Sequence, residues 1–211
     1  MFSAVFWDLD GTLVHTGPIW MAAERELAAE HGSDWTREDG LALVGLALTD
    51  TGVLVKERLK SDLTGAEIID YLVERVATHL LTDVPWMPGA FELAHAFADA
   101  GVPQALVTMS YDPIAKAVAE HLPFDAIVTG NSVVNGKPHP EAFLLAAELL
   151  NVEPARCLAI EDSITGVVSA AAAGCRVLAI PEAQVVPTGD DRVIHPTLSG
   201  LTPASTVALF A

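Results

Sequence analysis

The feature that most constrains the fold of this chain is the alternation of short apolar runs with longer segments of helical period. Such alternation predicts an α/β fold with a mostly parallel sheet, because parallel strands are joined by helical crossovers. The predicted strands are residues 4–7, 104–107, 126–128, 157–160 and 176–180. The predicted helices around the later strands are residues 89–100, 113–121, 140–150 and 164–173. We therefore expect a Rossmann-like parallel sheet flanked by helices.

One long segment breaks this alternation. From about residue 18 to residue 83 the chain has the pattern of consecutive helices, clearest at 19–31, 37–44 and 66–81, with no convincing strand between them. An all-helical insertion between the first two strands has the position of a cap domain. The sequence thus predicts a core domain of residues 1–14 and 86–211 and an all-α cap domain of residues 15–85.

Composition and charge limit the possible partners. The 211 residues are 51% hydrophobic, so the chain can bury a substantial core. Its formal net charge is −17 with only 11 Lys and Arg residues, which disfavours binding to nucleic acid and to anionic membranes. An anionic ligand would have to be captured locally, by a metal ion and one or two well-placed cations. We expect no nucleic-acid partner.

The cysteines and the hydropathy pattern favour a cytoplasmic protein. Cys157 and Cys175 are too few for a disulfide framework and match no zinc motif. The first residues contain no basic segment, and no run of about eighteen apolar residues lacks a charge or a breaker. We expect no signal peptide and no membrane span, and a monomer or small homo-oligomer.

The first predicted strand ends in two acidic residues, Asp8 and Asp10, followed at once by Gly11. Alternate side chains of an extended segment share a face, so the two carboxylates can approach a common point, and a glycine permits the sharp turn that follows. Two close carboxylates repel one another. The repulsion is relieved either by a hard cation such as Mg²⁺ or by a proton held on one of them.

Three later segments carry further polar groups at or beyond strand ends. Thr108 follows the second strand, Lys137 comes directly before two prolines, Pro138 and Pro140, just ahead of a helix, and the pair Glu161 and Asp162 follows the fourth strand. Thr108 could be an ordinary strand-end residue, with Ser110 better placed as a helix cap. An acid pair at a buried strand end is less easily explained by capping, and a bound cation explains it better.

Two neighbouring residues have simpler interpretations. Ser163 suits the N-cap of the helix that follows the acid pair. His139 has no second histidine at ligand spacing, so we interpret it as a loop residue and not as a metal ligand.

The acid pair after the first strand and the three later segments make four motifs. In this order they resemble the signatures of the haloacid dehalogenase superfamily. The resemblance is to the branch with a helical cap after the first strand, which includes β-phosphoglucomutases and sugar-phosphate phosphatases. The resemblance runs from Asp8 to Gly174. It implies that Asp8 is the nucleophile that forms an aspartyl phosphate. It also implies that Asp10 is the general acid and base, which argues against a dehalogenase.

The same resemblance implies the ligand-binding residues. Thr108, Lys137 and Ser110 would bind the phosphoryl oxygens. Mg²⁺ would be held by Asp8, by the backbone carbonyl of Asp10 and by Asp162. Glu161 would be either a direct ligand or a partner through water.

The implied reaction is hydrolysis of a small phosphate monoester, a sugar phosphate or a similar metabolite. A phosphomutase of the β-phosphoglucomutase type is the alternative. The mutases usually carry an Asp just after the first motif, a His in the first cap helix and a basic residue in a cap loop. Here Thr16 and Gly45 are kept, but His15 replaces the Asp, Trp20 replaces the His, and no Arg or Lys follows Gly45. The cap therefore offers little to hold a second phosphate.

Two further alternatives concern the cap and the activity itself. At least two of Trp20, Trp35 and Leu48 are expected to be cap core. If Trp20 faces the active site instead, a leaving group with an apolar or ring-bearing part is more plausible. From a different class, the chain could be a non-catalytic binding module that has kept the fold. Retention of every charged motif residue weighs against that alternative.

Overall fold

The computed structural model of the chain describes residues 1–44, 46–181 and 185–211. Its sheet contains β1 (Ala4–Trp7), β2 (Gln104–Val107), β3 (Ala126–Val128), β4 (Cys157–Glu161), β5 (Arg176–Ala179) and β6 (Arg192–Ile194). The strand order is β3-β2-β1-β4-β5-β6, and neighbouring strands pair in parallel. The predicted parallel sheet is confirmed, and β1 lies at its centre between β2 and β4.

Helices flank this sheet. Four of them lie between β1 and the remaining core elements: α1 (Gly17–Glu30), α2 (Arg37–Leu41), α3 (Leu48–Leu59) and α4 (Gly65–Leu80). The others are α5 (Ala90–Asp99), α6 (Asp112–Ala119), α7 (Glu141–Leu149), α8 (Ile164–Ala172) and α9 (Pro203–Ala208). The sequence prediction missed β6 and α9, and the helix predicted at 37–44 ends at Leu41. α3 lies within the segment predicted as consecutive helices, but it was not among the helices given bounds there. Among the described helices, none has both the length and the apolar character that a membrane span requires.

The side chains of β1 alternate between the two faces of the sheet, as the period of two in a strand requires. Val5 and Trp7 belong to one apolar cluster, and Ala4 and Phe6 belong to another on the opposite face. All four are fully buried, which is typical of a central parallel strand covered by helices on both sides.

We call residues 16–80, which comprise the N-cap residue Thr16 and the helices α1–α4, the helical insert. α4 begins at a capping box formed by Thr64 and Glu67, and its buried face includes Ile68 and Leu72. Ile68 and Leu72 lie in the same apolar cluster as Trp7 of β1, so the insert and one face of the sheet share a core. A separate cap domain with the boundaries 15–85 stays a prediction.

The two chain segments that join the insert to the sheet lie side by side. Val14 forms isolated β-bridges with both Asp10 and Trp86. The backbone N–H of His15 donates to the carbonyl of Pro85 at 2.9 Å, and that of Met87 donates to the carbonyl of Leu13 at 2.8 Å. The outgoing and returning segments are therefore held together at the point where the insert begins.

Candidate active site

The candidate site forms at the carboxyl ends of the three central strands. Asp8 follows β1, Thr108 follows β2, and Glu161 is the last residue of β4. The parallel register pairs Trp7 with both Leu106 and Ile160, so these strand ends lie at one edge of the sheet. Open α/β sheets bind their ligands at this edge. The structure brings together Asp8, Asp10, Thr108, Ser110, Lys137, Glu161 and Asp162.

Lys137 reaches this edge from the loop between β3 and α7. Its ammonium group donates to Oδ1 of Asp8 at 2.8 Å, to Oε1 of Glu161 at 2.5 Å and to the carbonyl of Val107 at 2.8 Å. The three N–H groups of the ammonium therefore have three acceptors, and the side chain is only 5% exposed. Burial opposes the charge, but Asp8 and Glu161 outweigh it and raise the pKa of Lys137. The lysine is a fixed buried cation.

The carboxylate of Asp10 receives hydrogen bonds from two sides. From the insert, Thr16 Oγ1 and Trp20 Nε1 donate to Oδ1 at 2.6 and 3.2 Å. From the segment after β2, Ser110 Oγ and Thr108 Oγ1 donate to Oδ2 at 2.7 and 3.4 Å. The side chain of Asp10 is thus held between the insert and the core.

Ser110 is not the helix cap that the sequence favoured. The N-cap of α6 is Tyr111, which makes no side-chain capping bond. The Oγ of Ser110 instead donates to Oδ2 of Asp10 at 2.7 Å. The interpretation of Ser163 as an N-cap is confirmed, since its side chain accepts from the N–H of Gly166 at 3.0 Å.

Three carboxylates form a group that can hold a metal ion. One ligand oxygen from each of Asp8, Glu161 and Asp162 lies within 4.8 Å of the other two. Together with Asp10 they make four acids against the one cation of Lys137. Burial, then Glu161, raises the pKa of Asp8 to about 7, and burial, then Asp8, raises the pKa of Asp162 to about 9. An all-oxygen donor set with excess negative charge fits a hard divalent cation.

Glu161 is the most enclosed of these acids, with no exposed surface. Its Oε1 accepts from Lys137, and its Oε2 accepts from Ser163 Oγ at 3.3 Å. A Cβ at Gly166 would overlap its carboxyl group, so the glycine provides the space that Glu161 occupies. Glu161 therefore positions Lys137, whether or not it also contacts a metal ion.

The alternative in which Trp20 of the insert faces the active site, and not only the cap core, agrees with the structure. Trp20 is partly buried, packs against the apolar cluster and turns its N–H toward Asp10, so it faces the candidate site. Trp35 is buried, as expected of cap core, and Leu48 packs against the same cluster. No sequence pattern indicated the contacts of Thr16 and Trp20 with Asp10. Gly45 lies outside the described residues. His139 is an exposed loop residue beside Glu141, which agrees with its interpretation.

Comparisons with known proteins agree with this geometry. A sequence model of a family described as haloacid dehalogenase-like hydrolase matches residues 2–174. Hexitol phosphatase A of Escherichia coli (strain K12) is 34% identical over 182 residues, which are 82% of this chain and 81% of that protein. CbbY of Rhodobacter sphaeroides, solved in complex with xylulose-(1,5)bisphosphate, superposes with a TM-score of 0.83 at 27% identity and covers 95% of this chain and 96% of that chain. A β-phosphoglucomutase of Clostridium difficile superposes with a TM-score of 0.81 at 20% identity, covers 100% of this chain and 97% of that chain, and is similar in fold alone.

Proposed function

The chain belongs to the haloacid dehalogenase-like hydrolases, and on that premise we propose that it is a magnesium-dependent phosphatase that hydrolyses a small phosphate monoester through an aspartyl phosphate. The observation that carries the proposal is the environment of Asp8. This carboxylate lies at a central strand end, 2.8 Å from a buried ammonium group and beside two more acids. Such an arrangement supplies a nucleophile, a countercharge and ligands for a cation.

The first chemical step is assigned to Asp8 and Asp10. A carboxylate oxygen of Asp8 forms a bond to phosphorus while the bond from phosphorus to the ester oxygen breaks. Asp10 gives a proton to the departing alkoxide. In the second step a water molecule attacks phosphorus, Asp10 takes its proton, and the bond to Asp8 breaks to release phosphate.

The surroundings of Asp10 suit both of its tasks. The hydroxyl groups of Thr16, Thr108 and Ser110 can each donate or accept a hydrogen bond. The carboxyl group can therefore hold or release a proton without losing these neighbours.

The remaining residues stabilise charge and hold the phosphoryl group. Lys137 supplies a positive charge beside Asp8, where negative charge accumulates during phosphoryl transfer. Thr108 and Ser110 lie beside the Asp10 carboxyl group and are assigned to bind the phosphoryl oxygens. Asp8, the Asp10 carbonyl and Asp162, with Glu161 directly or through water, would hold Mg²⁺. When bound, the ion supplies electrostatic stabilisation of the transferring phosphoryl group.

The substrate is proposed to be a sugar phosphate or a similar metabolite, as the name of the hexitol phosphatase relative suggests. Because the indole of Trp20 lies at the candidate site, a leaving group with an apolar or ring-bearing part is favoured within that class. A cytoplasmic monomer or small homo-oligomer that binds no nucleic acid stays our expectation from composition.

The proposal is tested by hydrolysis of p-nitrophenyl phosphate with and without Mg²⁺. We expect Mg²⁺-dependent turnover that falls by several orders of magnitude in Asp8→Asn, which keeps the size of the side chain. Asp62→Asn, an exposed acid of the insert, is the control and keeps full activity. Near-normal turnover of Asp8→Asn contradicts the mechanism, and no turnover by the wild type indicates a binding module.

A panel of phosphate esters at fixed Mg²⁺, ranked by kcat/KM, then identifies the substrate class. Release of inorganic phosphate from the best substrate supports a phosphatase. Isomerisation of a sugar phosphate without phosphate release would instead indicate a phosphomutase. Best turnover on small, highly charged esters would count against a leaving group that contacts Trp20.

A further inference from the structure

We propose that Trp20 is a positioning residue for Asp10: its indole N–H holds Oδ1, so that Oδ2 faces the phosphoryl group and exchanges the proton with the leaving group. This inference rests on the proposed function, in which Asp10 is the general acid. It goes further because it assigns the orientation of that acid to a residue of the helical insert.

The first support is the chemistry of the four groups around Asp10. The hydroxyls of Thr16, Thr108 and Ser110 can donate or accept, so they accommodate a proton on either oxygen of the carboxyl. The indole N–H of Trp20 can only donate. It lies 3.2 Å from Oδ1, and that oxygen must therefore present a lone pair to it. Trp20 is the member of this group that distinguishes one carboxyl oxygen from the other.

The second support is the position of each oxygen. Oδ1 faces Thr16 and Trp20, both at the start of the insert. Oδ2 faces Ser110 and Thr108, which follow β2 and lie at the strand-end edge where the phosphoryl group is proposed to bind. With Oδ1 engaged by the indole, the oxygen directed toward the core is the one free to carry the proton.

The third support is the packing of the indole ring. Trp20 is a residue of α1, and its ring packs against the apolar cluster shared by the insert and the sheet. Its N–H direction is therefore set by packing and not by the hydrogen bond alone. The orientation of Asp10 consequently depends on where α1 lies.

The experiment compares two leaving groups. An alkyl phosphate needs a proton from the acid when the ester bond breaks, whereas p-nitrophenolate leaves without one. We expect Trp20→Phe, which keeps an aromatic ring but lacks the N–H, to lower kcat/KM about tenfold or more for the alkyl ester. For p-nitrophenyl phosphate we expect a loss of less than about threefold, because that step does not use the acid. Trp20→Met is a second variant without the donor, in case the first does not fold.

The matched control is Trp35→Phe. It also removes an indole N–H of the insert, but that group donates to Glu24 and not to Asp10. We expect it to affect both substrates equally. Trp20→His, which keeps a ring N–H, should recover part of the alkyl activity. Equal losses on both substrates for the Trp20 variants would overturn the inference, because a purely structural role predicts them.

Asp10→Asn separates this inference from the proposed function. If Asp10→Asn lowers kcat/KM selectively for the alkyl ester while the Trp20 variants do not, only the role of Trp20 fails. The comparison uses kcat/KM because this constant reports the step that releases the alcohol, before the water attack that both substrates share. If kcat/KM of Asp10→Asn shows no selectivity between the leaving groups, the assignment of Asp10 as general acid fails as well.

Discussion

The ammonium of Lys137 lies 2.8 Å from Oδ1 of Asp8, although the two residues are 129 positions apart in the sequence. The same group contacts Glu161, so one buried cation serves two buried acids. A buried group of ion pairs like this one adds little net stability, because the cost of removing the charges from water opposes the attraction between them. Removing one member, however, leaves buried charge without a partner.

Lys137→Met is therefore expected to lower the free energy of unfolding by about 3–5 kcal/mol, because Glu161 has no exposed surface and loses its countercharge. Adding Glu161→Gln should restore part of the loss, so the two changes together are less destabilising than their sum. Urea denaturation without added metal measures the double-mutant cycle.

The control for this cycle is Lys116→Met. Lys116 also pairs with an acid, Asp112, but its side chain is 70% exposed. We expect a change below about 1 kcal/mol. Strictly additive effects of Lys137→Met and Glu161→Gln would show that the pair does not interact energetically.

Addition of Mg²⁺ should raise the melting temperature of the wild type. Binding to the native state alone stabilises it by about 2.7 kcal/mol when the free ion is at 100 times its Kd. Asp162→Asn removes one member of the carboxylate group and should abolish most of the shift. Asp190→Asn, an exposed acid, should keep it. An equal shift in all three proteins, measured by thermal unfolding, would place the ion elsewhere.

Glu24 of α1, a buried acid outside the candidate site, predicts a pH dependence of stability. It is 5% exposed and accepts from Trp35 Nε1 at 2.9 Å. Burial raises its pKa from 4.5 to about 7. Between these values the unfolded chain loses the proton and the native protein keeps it. The stability that Glu24 contributes is therefore full below pH 4.5 and is lost as the pH rises through about 7.

Glu24→Gln removes this dependence and keeps an acceptor for Trp35. The free energy of unfolding of Glu24→Gln minus that of the wild type should increase by about 2 kcal/mol from pH 5 to pH 8.5. Urea denaturation at the two pH values measures the difference. Glu148→Gln, an exposed acid of α7, should show no such trend. A pH-independent difference for Glu24→Gln would mean that Glu24 is ionised in the native protein.

Gly166→Ala tests the enclosure of Glu161. The added Cβ overlaps the carboxyl group, so we expect a loss of about 1–3 kcal/mol in stability and reduced turnover as Lys137 moves. Gly17→Ala is the control, because it is also in the first turn of a helix and a Cβ there meets nothing within 4 Å. Unchanged kcat/KM in a folded Gly166→Ala variant would contradict the positioning role of Glu161.

The central strands could be predicted because their residues are apolar and buried. β6 was missed, since its residues are partly or fully exposed at the sheet edge and carry no buried pattern. α3 falls in the segment predicted as consecutive helices but was not among its clearest helices, because Gly52 lowers its helical propensity and Ala47 at its N-cap has no capping side chain. The structure explains the glycine, since a Cβ there would overlap the carbonyl of Gly65 in α4.

The candidate site was predictable to the extent that parallel strand ends determine it. Asp8, Thr108 and Glu161 meet because their strands are neighbours in register. The contacts of Thr16 and Trp20 with Asp10 depend on how the insert packs on the sheet, which no local pattern encodes. Ser110 was wrongly interpreted as a cap because the sequence does not show the carboxylate 100 positions away that its hydroxyl contacts.

The bridges of Val14 with Asp10 and Trp86 have a mechanical consequence. Because the outgoing and returning segments are paired, the insert is attached through one double-stranded connection and not through two independent tethers. The backbone of Asp10 is bridged to the same residue, Val14. A substitution that disturbs the pairing of these two segments is therefore expected to displace Asp10 as well, even when it lies far from the carboxylate in the sequence.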